Sequence, residues 1–151
     1  MNMTKIEEYI VKNWIIDEDM FVCKIHDENS NFNYQINYQG MIMNVIQPKV
    51  NDDVLVIVCS SEVSSVHSEW MSNKTMEYRN EFLYEFKFKI NSFDVEFDLD
   101  IDENNLMLKG FIIQDVIYSD GLTKDSFMRS LRRINSDRLS CVWTIEKYFV
   151  M

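Results

Sequence analysis

Between residues 93 and 101 apolar and acidic positions alternate without a break, with Phe93, Val95, Phe97, Leu99 and Ile101 on one side and Asp94, Glu96, Asp98 and Asp100 on the other. A period of two predicts a half-buried strand. Its carboxylates belong in water or against something basic, because an unpaired buried carboxylate is costly or takes up a proton. Asp102, Glu103, Asn104 and Asn105 are turn formers and residues 106–113 resume an apolar run, so the pair reads as an antiparallel hairpin. Gly110 inside the second strand predicts a bulge or a close backbone approach. Ser119, Asp120 and Gly121 stop that strand, and Thr123 caps a helix with Asp125 at its positive end and Leu122 and Phe127 spaced as a hydrophobic staple. Phe127, Leu131 and Ile134 recur at helical spacing and leave Arg129, Arg132 and Arg133 on the wet side.

The rest of the chain follows the same two periods. Thr4 and Glu7 are spaced as a capping box, and Ile6, Tyr9, Ile10 and Trp14 predict an amphipathic helix that ends near Ile16, before Asp17, Glu18 and Asp19. Residues 20–25 are apolar enough for a strand. In the next strand Phe32, Tyr34, Ile36 and Tyr38 alternate with Asn33, Gln35 and Asn37. Gly40 turns the chain into a strand over 41–46 that Pro48 ends, and 54–59 is a continuous apolar run suited to the middle of a sheet. Ser60 or Ser61 is expected to cap a helix to about Trp70, and Ser72 or Asn73 a second one. That second helix carries Met76, Phe82, Leu83, Phe86 and Ile90 inward, with Tyr78 and Tyr84 nearer the rim. Over 84–90 a strand is the alternative, since Phe86 and Phe88 alternate with Glu85 and Lys87; the longer period favours the helix. Ser136 and Asp137 are expected to interrupt the last helix, whose pattern resumes at Leu139, Val142, Trp143, Ile145 and Phe149.

These elements predict a single α+β domain over 1–151, an antiparallel sheet of five to six strands covered by helices in the order α-β-β-β-β-α-(α)-β-β-α. With Gly121-Leu122-Thr123 opening the last helix directly after the hairpin, this order resembles the YbjN and type III secretion chaperone-like group. Glu81-Phe82-Leu83-Tyr84-Glu85-Phe86 ahead of the hairpin resembles an uncharacterised archaeal family associated with that group. The resemblance implies a type III secretion chaperone-like fold and a small, acidic, non-enzymatic, usually homodimeric protein that holds a partner segment extended along its surface. The run at 54–59 is an extra strand relative to that group, and nothing in the sequence points to a secretion system.

Composition narrows the classes of function. The 151 residues are 46% hydrophobic and 13% aromatic with three glycines and one proline, which fits a compact chain with one core. A formal charge of -10 repels phosphate backbones and anionic lipid, so nucleic acid and membrane surfaces are not expected partners, whereas a basic or amphipathic polypeptide is. Cys23, Cys59 and Cys141 are far apart and His26 and His67 are the only histidines, so neither a disulfide frame nor a zinc pattern is present and a reducing cytoplasm is expected. No apolar run approaches the roughly 20 residues of a spanning helix, and no signal peptide is expected.

Candidate chemistry is sparse. His67 with Glu62, Glu69 or Cys59 has the residue types of an acid-base or thiol site, but Cys59, Cys23 and Cys141 sit in apolar company that suits inert core residues. Carboxylates on alternate positions of a strand stand about 7 Å apart, too far to converge on one calcium ion. Lys124, Arg129, Arg132, Arg133 and Arg138 form one basic patch, a solvated helix face unless Arg129, Arg132 and Arg133 meet Asp98 and Asp100 of a second copy in a salt-sensitive dimer. Tyr34, Tyr38, Met41 and Met43 are either core or an adaptable surface for a partner. Glycine-rich phosphate loops and hydrolase elbows are missing, so no catalytic residue, cofactor site or metal site is expected. The leading expectation is a cytoplasmic, non-enzymatic, dimeric interaction module that binds a polypeptide through an apolar groove or a sheet edge. The alternative is a small enzyme whose site assembles from scattered polar residues, which a deep pocket with convergent perturbed ionisable groups would reveal.

Overall fold

The structure, a computed structural model, describes residues 4–149. Helix α1 (Glu8–Asp17) leads into a meander of β1 (Phe21–Lys24), β2 (Ser30–Tyr38), β3 (Met41–Pro48) and β4 (Val54–Glu62). Helices α2 (Ser65–Ser72) and α3 (Met76–Asn91) precede the hairpin β5 (Glu96–Asp102) and β6 (Met107–Tyr118), and a single 3-10 turn at Ser119–Gly121 leads to α4 (Lys124–Tyr148). The strands make one antiparallel six-stranded sheet in the order β1-β2-β3-β4-β6-β5, the α+β class and element order that the sequence predicts. β6 lies between β4 and β5, so β5 is left at an edge. Among the described residues no helix is long and apolar enough to cross a membrane.

The chain divides into two compact units, residues up to 59 with 114–135 and residues 60–113 with 136 onward. In the first unit, β2 and β3 pair from Ser30↔Pro48 to Tyr38↔Met41. Gln39 and Gly40 between them have φ of 51 and 86 degrees, the positive values that let a two-residue turn follow the twist of its strands. Asn37 Oδ1 holds that turn by accepting from the Gly40 amide at 2.7 Å. Alternation then sends Phe32, Tyr34, Ile36, Met43 and Val45 to one buried face, where Phe127, Leu131 and Ile134 are also buried. The buried Gln47 amide donates at 2.7 Å to both the Ile6 and Asp52 carbonyls, which fixes the segment entering α1.

The ends of α1 depart from expectation. Its N-cap is Glu7 with no side-chain bond, so Thr4 and Glu7 do not form a capping box. Its buried residues are Val11 and Ile15, while Tyr9 and Ile10 are exposed, a rotation of the face expected from Ile6, Tyr9, Ile10 and Trp14. Asp19 takes a left-handed φ of 54 degrees, and the amides of Asp19 and Met20 donate to the carbonyls of Ile16 and Ile15, closing the helix with a Schellman motif.

In the second unit the helix caps shift downstream of their expected places. Ser64 accepts from the His67 amide to cap α2, and Thr75 accepts from the Tyr78 amide to cap α3. Ser60 and Ser61 cannot start a helix because β4 runs on to Glu62 and the Val63 amide still donates to the Lys109 carbonyl at 2.9 Å. α3 is helical through 84–90, buries Phe82, Leu83, Phe86 and Ile90, and leaves Met76 exposed. The Phe86 ring meets Phe111 edge-on at 5.2 Å. The Arg79 guanidinium donates to the Met71, Ser72 and Asn105 carbonyls, joining the end of α2 to the β5–β6 turn. Gly110 is a close approach as expected: a Cβ there would lie 2.8 Å from the Ser61 carbonyl oxygen.

Helix α4 starts with a reciprocal cap, in which Thr123 Oγ1 accepts from the Ser126 amide at 3.1 Å and Ser126 Oγ accepts from the Thr123 amide at 2.9 Å. It then runs unbroken past Ser136 and Asp137, where an interruption was expected. Each of those residues costs a helix less than about 1 kcal/mol against alanine, too little to break one whose buried positions continue. Those later positions are Cys141 and Thr144, with Leu139 and Trp143 exposed instead of inward.

One carboxylate in each unit accepts from a tyrosine hydroxyl and a lysine. Glu8 takes the Tyr34 hydroxyl and Lys24 Nζ at 2.8 Å. Glu85 takes the Tyr148 hydroxyl and Lys147 Nζ at 2.8 Å. Burial raises the Glu8 carboxyl, but the hydrogen bonds from Lys24 and Tyr34 outweigh it and hold the group below its ordinary value. Lys147 and then Tyr148 hold Glu85 low in the same way.

Two outcomes follow. Gly110→Ala loses about 1–3 kcal/mol of stability in urea unfolding, because the Ser61 carbonyl is backbone and cannot give way, while Gly121→Ala, with nothing near its Cβ, stays within about 0.5 kcal/mol. Since both glutamates are more acidic folded than unfolded, their contribution is complete above the unfolded carboxyl range and disappears as pH falls through the folded values. Melting temperature measured from about pH 6 to about pH 3 therefore declines, and a Glu8→Gln, Glu85→Gln variant starts lower and declines less steeply.

Candidate functional site

Tyr34 and Met43 have no exposed surface and Tyr38 almost none, while Met41 is half-buried at the end of the β2–β3 turn. Of the two readings of this group, core or adaptable surface, the burial of Tyr34, Tyr38 and Met43 fits core. Alternation along β2 and β3 turns these side chains toward the helix side, where the Tyr34 hydroxyl is committed to Glu8. A partner could reach three of the four only by opening the fold.

The basic patch is largely occupied by neighbours. Arg129 pairs with Asp125 at 3.0 Å and Lys124 with Glu18 at 2.9 Å, and Arg133 reaches Asp115 at 3.4 Å. Arg138 donates to Ser61 Oγ at 2.9 Å. Arg132 is exposed and makes no ion pair among the described residues. Asp98 and Asp100 are exposed on β5, in the other compact unit from Arg129, Arg132 and Arg133.

The thiols and histidines are spread over separate surroundings. Cys59 Sγ lies 3.8 Å from the Ile42 carbonyl, and burial, with the Asp137 charge behind it, pushes the Cys141 thiol up to about 12, the wrong direction for a nucleophile. His67 Nδ1 is 2.7 Å from the Ser64 hydroxyl that caps α2, and its ring meets Phe149 edge-on at 4.1 Å. His26 lines an open cleft of about 500 Å3 together with Lys24, Asp27, Phe32 and Lys49. Asp27 there is held below its ordinary value by Ser30 and the Asn29 amide, bonds that shape the turn. Among the described residues no three His, Cys, Asp or Glu side chains are grouped to hold a metal ion.

Two surfaces remain. The first is the β5 edge. Phe97 is 38% exposed, and Val95, Leu99 and Ile101 are only half-buried, so the predicted dry face is incompletely covered. The reason is position: nothing pairs beyond the last strand of the sheet. Asp98 and Asp100 line an open trough of about 360 Å3 with Ser60, Glu62, Lys109 and Ile112. The adjoining turn is preformed, with Asp102 accepting from the amides of Asn104 and Asn105 and from the Asn105 side chain.

The second is the side of the meander away from α1, within the first unit. The register sets its side chains in rows: Asn37 beside Ile42, then Gln35, Asn44 and Val58, then Asn33, Ile46 and Val56. Ile42 is 43% exposed. Cys23 pairs with Gln35 on one flank. On β6, Asp115 is turned to Ser130 of α4, which places its neighbour Val116 on the opposite face. The asparagine and glutamine alternation of β2 was visible in the sequence. Its meeting with Ile42, Ile46, Val56 and Val58 was not, because pairing between distant strands brings them together.

Among solved structures the chain is similar to a crystal structure of an uncharacterized protein from Methanothermobacter thermautotrophicus, at 31% identity over 95% of this chain and 99% of that one, with a TM-score of 0.89. It is more loosely similar to YbjN from E. coli, at 12% identity over 95% and 92% of the two chains, with a TM-score of 0.49. An uncharacterised archaeal protein and YbjN are the relatives that the residues around 81–86 and 121–123 resemble. No curated protein matches the chain. Residues 7–145 match the family described as "Uncharacterized conserved protein (DUF2299)", and the chain belongs to that family.

Proposed function

We propose that this protein is a non-enzymatic, chaperone-like interaction module that takes up an extended, basic polypeptide segment along the β5 edge. The observation that carries the reading is an unpartnered edge strand whose exposed carboxylates, Asp98 and Asp100, stand beside exposed Phe97. A strand added at such an edge gains main-chain hydrogen bonds, and alternate side chains supply selectivity. Carboxylates on the receiving strand steer a lysine- or arginine-rich segment and reject an acidic one. The same charges keep unpaired edges from joining in the absence of a partner.

A binding role is favoured over an enzyme because the displaced ionisable groups have fold-building causes. Glu8 and Glu85 hold tyrosines and lysines, Asp27 and Asp102 hold turns, and Cys141 is buried. None of them faces another across a cleft as an acid and base would. Three free cysteines suit a reducing cytoplasm as the place of action.

Fluorescence anisotropy with two labelled peptides of alternating pattern, one pairing valine with lysine and arginine and the other valine with glutamate, tests the reading. The basic peptide binds at low salt, weakens as salt rises, and weakens about three- to tenfold with Asp98→Asn, Asp100→Asn, as expected for two exposed charges. Equal binding of both peptides, or binding of neither, rules the proposal out.

A further inference from the structure

We infer that a second copy of this chain docks on the uncharged face of the meander, across β2, β3 and β4. The inference is independent of polypeptide capture at β5. The opposite side of these strands is closed, with Tyr34, Met43, Val45 and Ile57 fully buried, whereas the side that carries Ile42 leaves it 43% exposed and Ile46, Val56 and Val58 half-buried. In a chain with 26% charged residues and a net charge of -10, none of the eight side chains in the three rows is charged.

That pattern selects the partner. Two copies of a strongly acidic chain repel wherever their carboxylates approach, and a face without charge is where they meet at least cost. Asn33 is buried and committed to Asp27 and Asn44, but Gln35, Asn37 and Asn44 are amides with more donor and acceptor positions than the one bond each makes to Cys23, Gly40 or Asn33 uses, so the surface can pair with an identical one about a two-fold axis. A carboxylate or ammonium surface cannot pair with itself in that way. Ile42, Ile46, Val56 and Val58 supply the apolar area that such a contact buries. A basic or acidic foreign partner would find no countercharge on this face.

The size of the patch sets the expected strength. With Cys23 on one flank and Val116 on the other it spans five strands, on the order of 500 Å2 of flat area at normal strand spacing. That is below the roughly 800 Å2 per partner of a stable complex, so the dimer is weak and depends on concentration.

Sedimentation velocity of the full chain from about 1 to about 200 µM reads this association. The expected result is a monomer–dimer equilibrium that tightens between about 0.05 and about 0.5 M salt, since salt screens the mutual repulsion and the contact itself holds no ion pair. Ile42→Glu and Val58→Glu each weaken the dimer at least about tenfold by setting like charges against each other, with unchanged circular dichroism melts showing that the fold is intact. Asp98→Asn, Asp100→Asn leaves the dimer in place, which separates this face from the peptide-binding edge. A monomer throughout overturns the inference. So does a dimer that dissociates as salt rises, the signature of arginine–aspartate pairing, or one that survives both glutamate substitutions.

Discussion

The approach of β6 to β4 at Gly110 is the constraint from which the arrangement of the sheet follows. A hairpin by itself pairs only its two strands. Here β6 also pairs with β4, and a side chain at Gly110 would meet the Ser61 carbonyl at 2.8 Å. The chain therefore keeps a residue without Cβ where the backbones come closest. Because β6 takes the place beside β4, β5 is displaced to the rim, and its ladder groups and carboxylates are left facing outward. β4, kept in register with β6 as far as Val63, delays the start of α2 to Ser65.

Polar groups inside the units hold elements together. The Glu8 cluster joins α1 to β1 and β2, and the Glu85 cluster joins α3 to the end of α4. The carboxylate is the acceptor in each, and the tyrosine hydroxyl donates a hydrogen bond to it while keeping its proton. Accepting from Glu85's side is no option for the Tyr148 hydroxyl, whose bond to that carboxylate is the main reason its ionisation is pushed up to about 12. The Tyr34 hydroxyl is also pushed up, chiefly by burial, with the Glu8 bond adding to it. Displaced ionisation of this kind accompanies structure as readily as catalysis.

Charge is distributed unevenly over the sheet's strands. β5 alternates acidic residues with apolar ones, whereas the outward positions of β2, β3 and β4 in the first unit are amides and aliphatics. An acidic edge and an uncharged row of side chains differ in how salt acts on them, because salt screens carboxylates and leaves amides and aliphatics unaffected.

Local sequence determined the elements. Strict alternation at 32–38 and at 96–101, and the recurrence of Phe82, Phe86 and Ile90, fixed strand and helix because a side chain's direction depends on the backbone period alone, while residues 93–95, which carry the same alternation, lie in bends before β5. Thr123 and its neighbours marked the start of α4 for the same local reason, and the glycine at 110 announced a close approach without saying to what. Tertiary structure decided which neighbours those elements met. Tyr34, Tyr38 and Met43 became core once helices covered their side of β2 and β3, the caps of α2 and α3 moved to Ser64 and Thr75 once β4 was held to β6, and Phe97 stayed half in water once β5 became an edge. Period reports which side chains share a face. Only the pairing of strands far apart in the chain reports what, if anything, lies against that face.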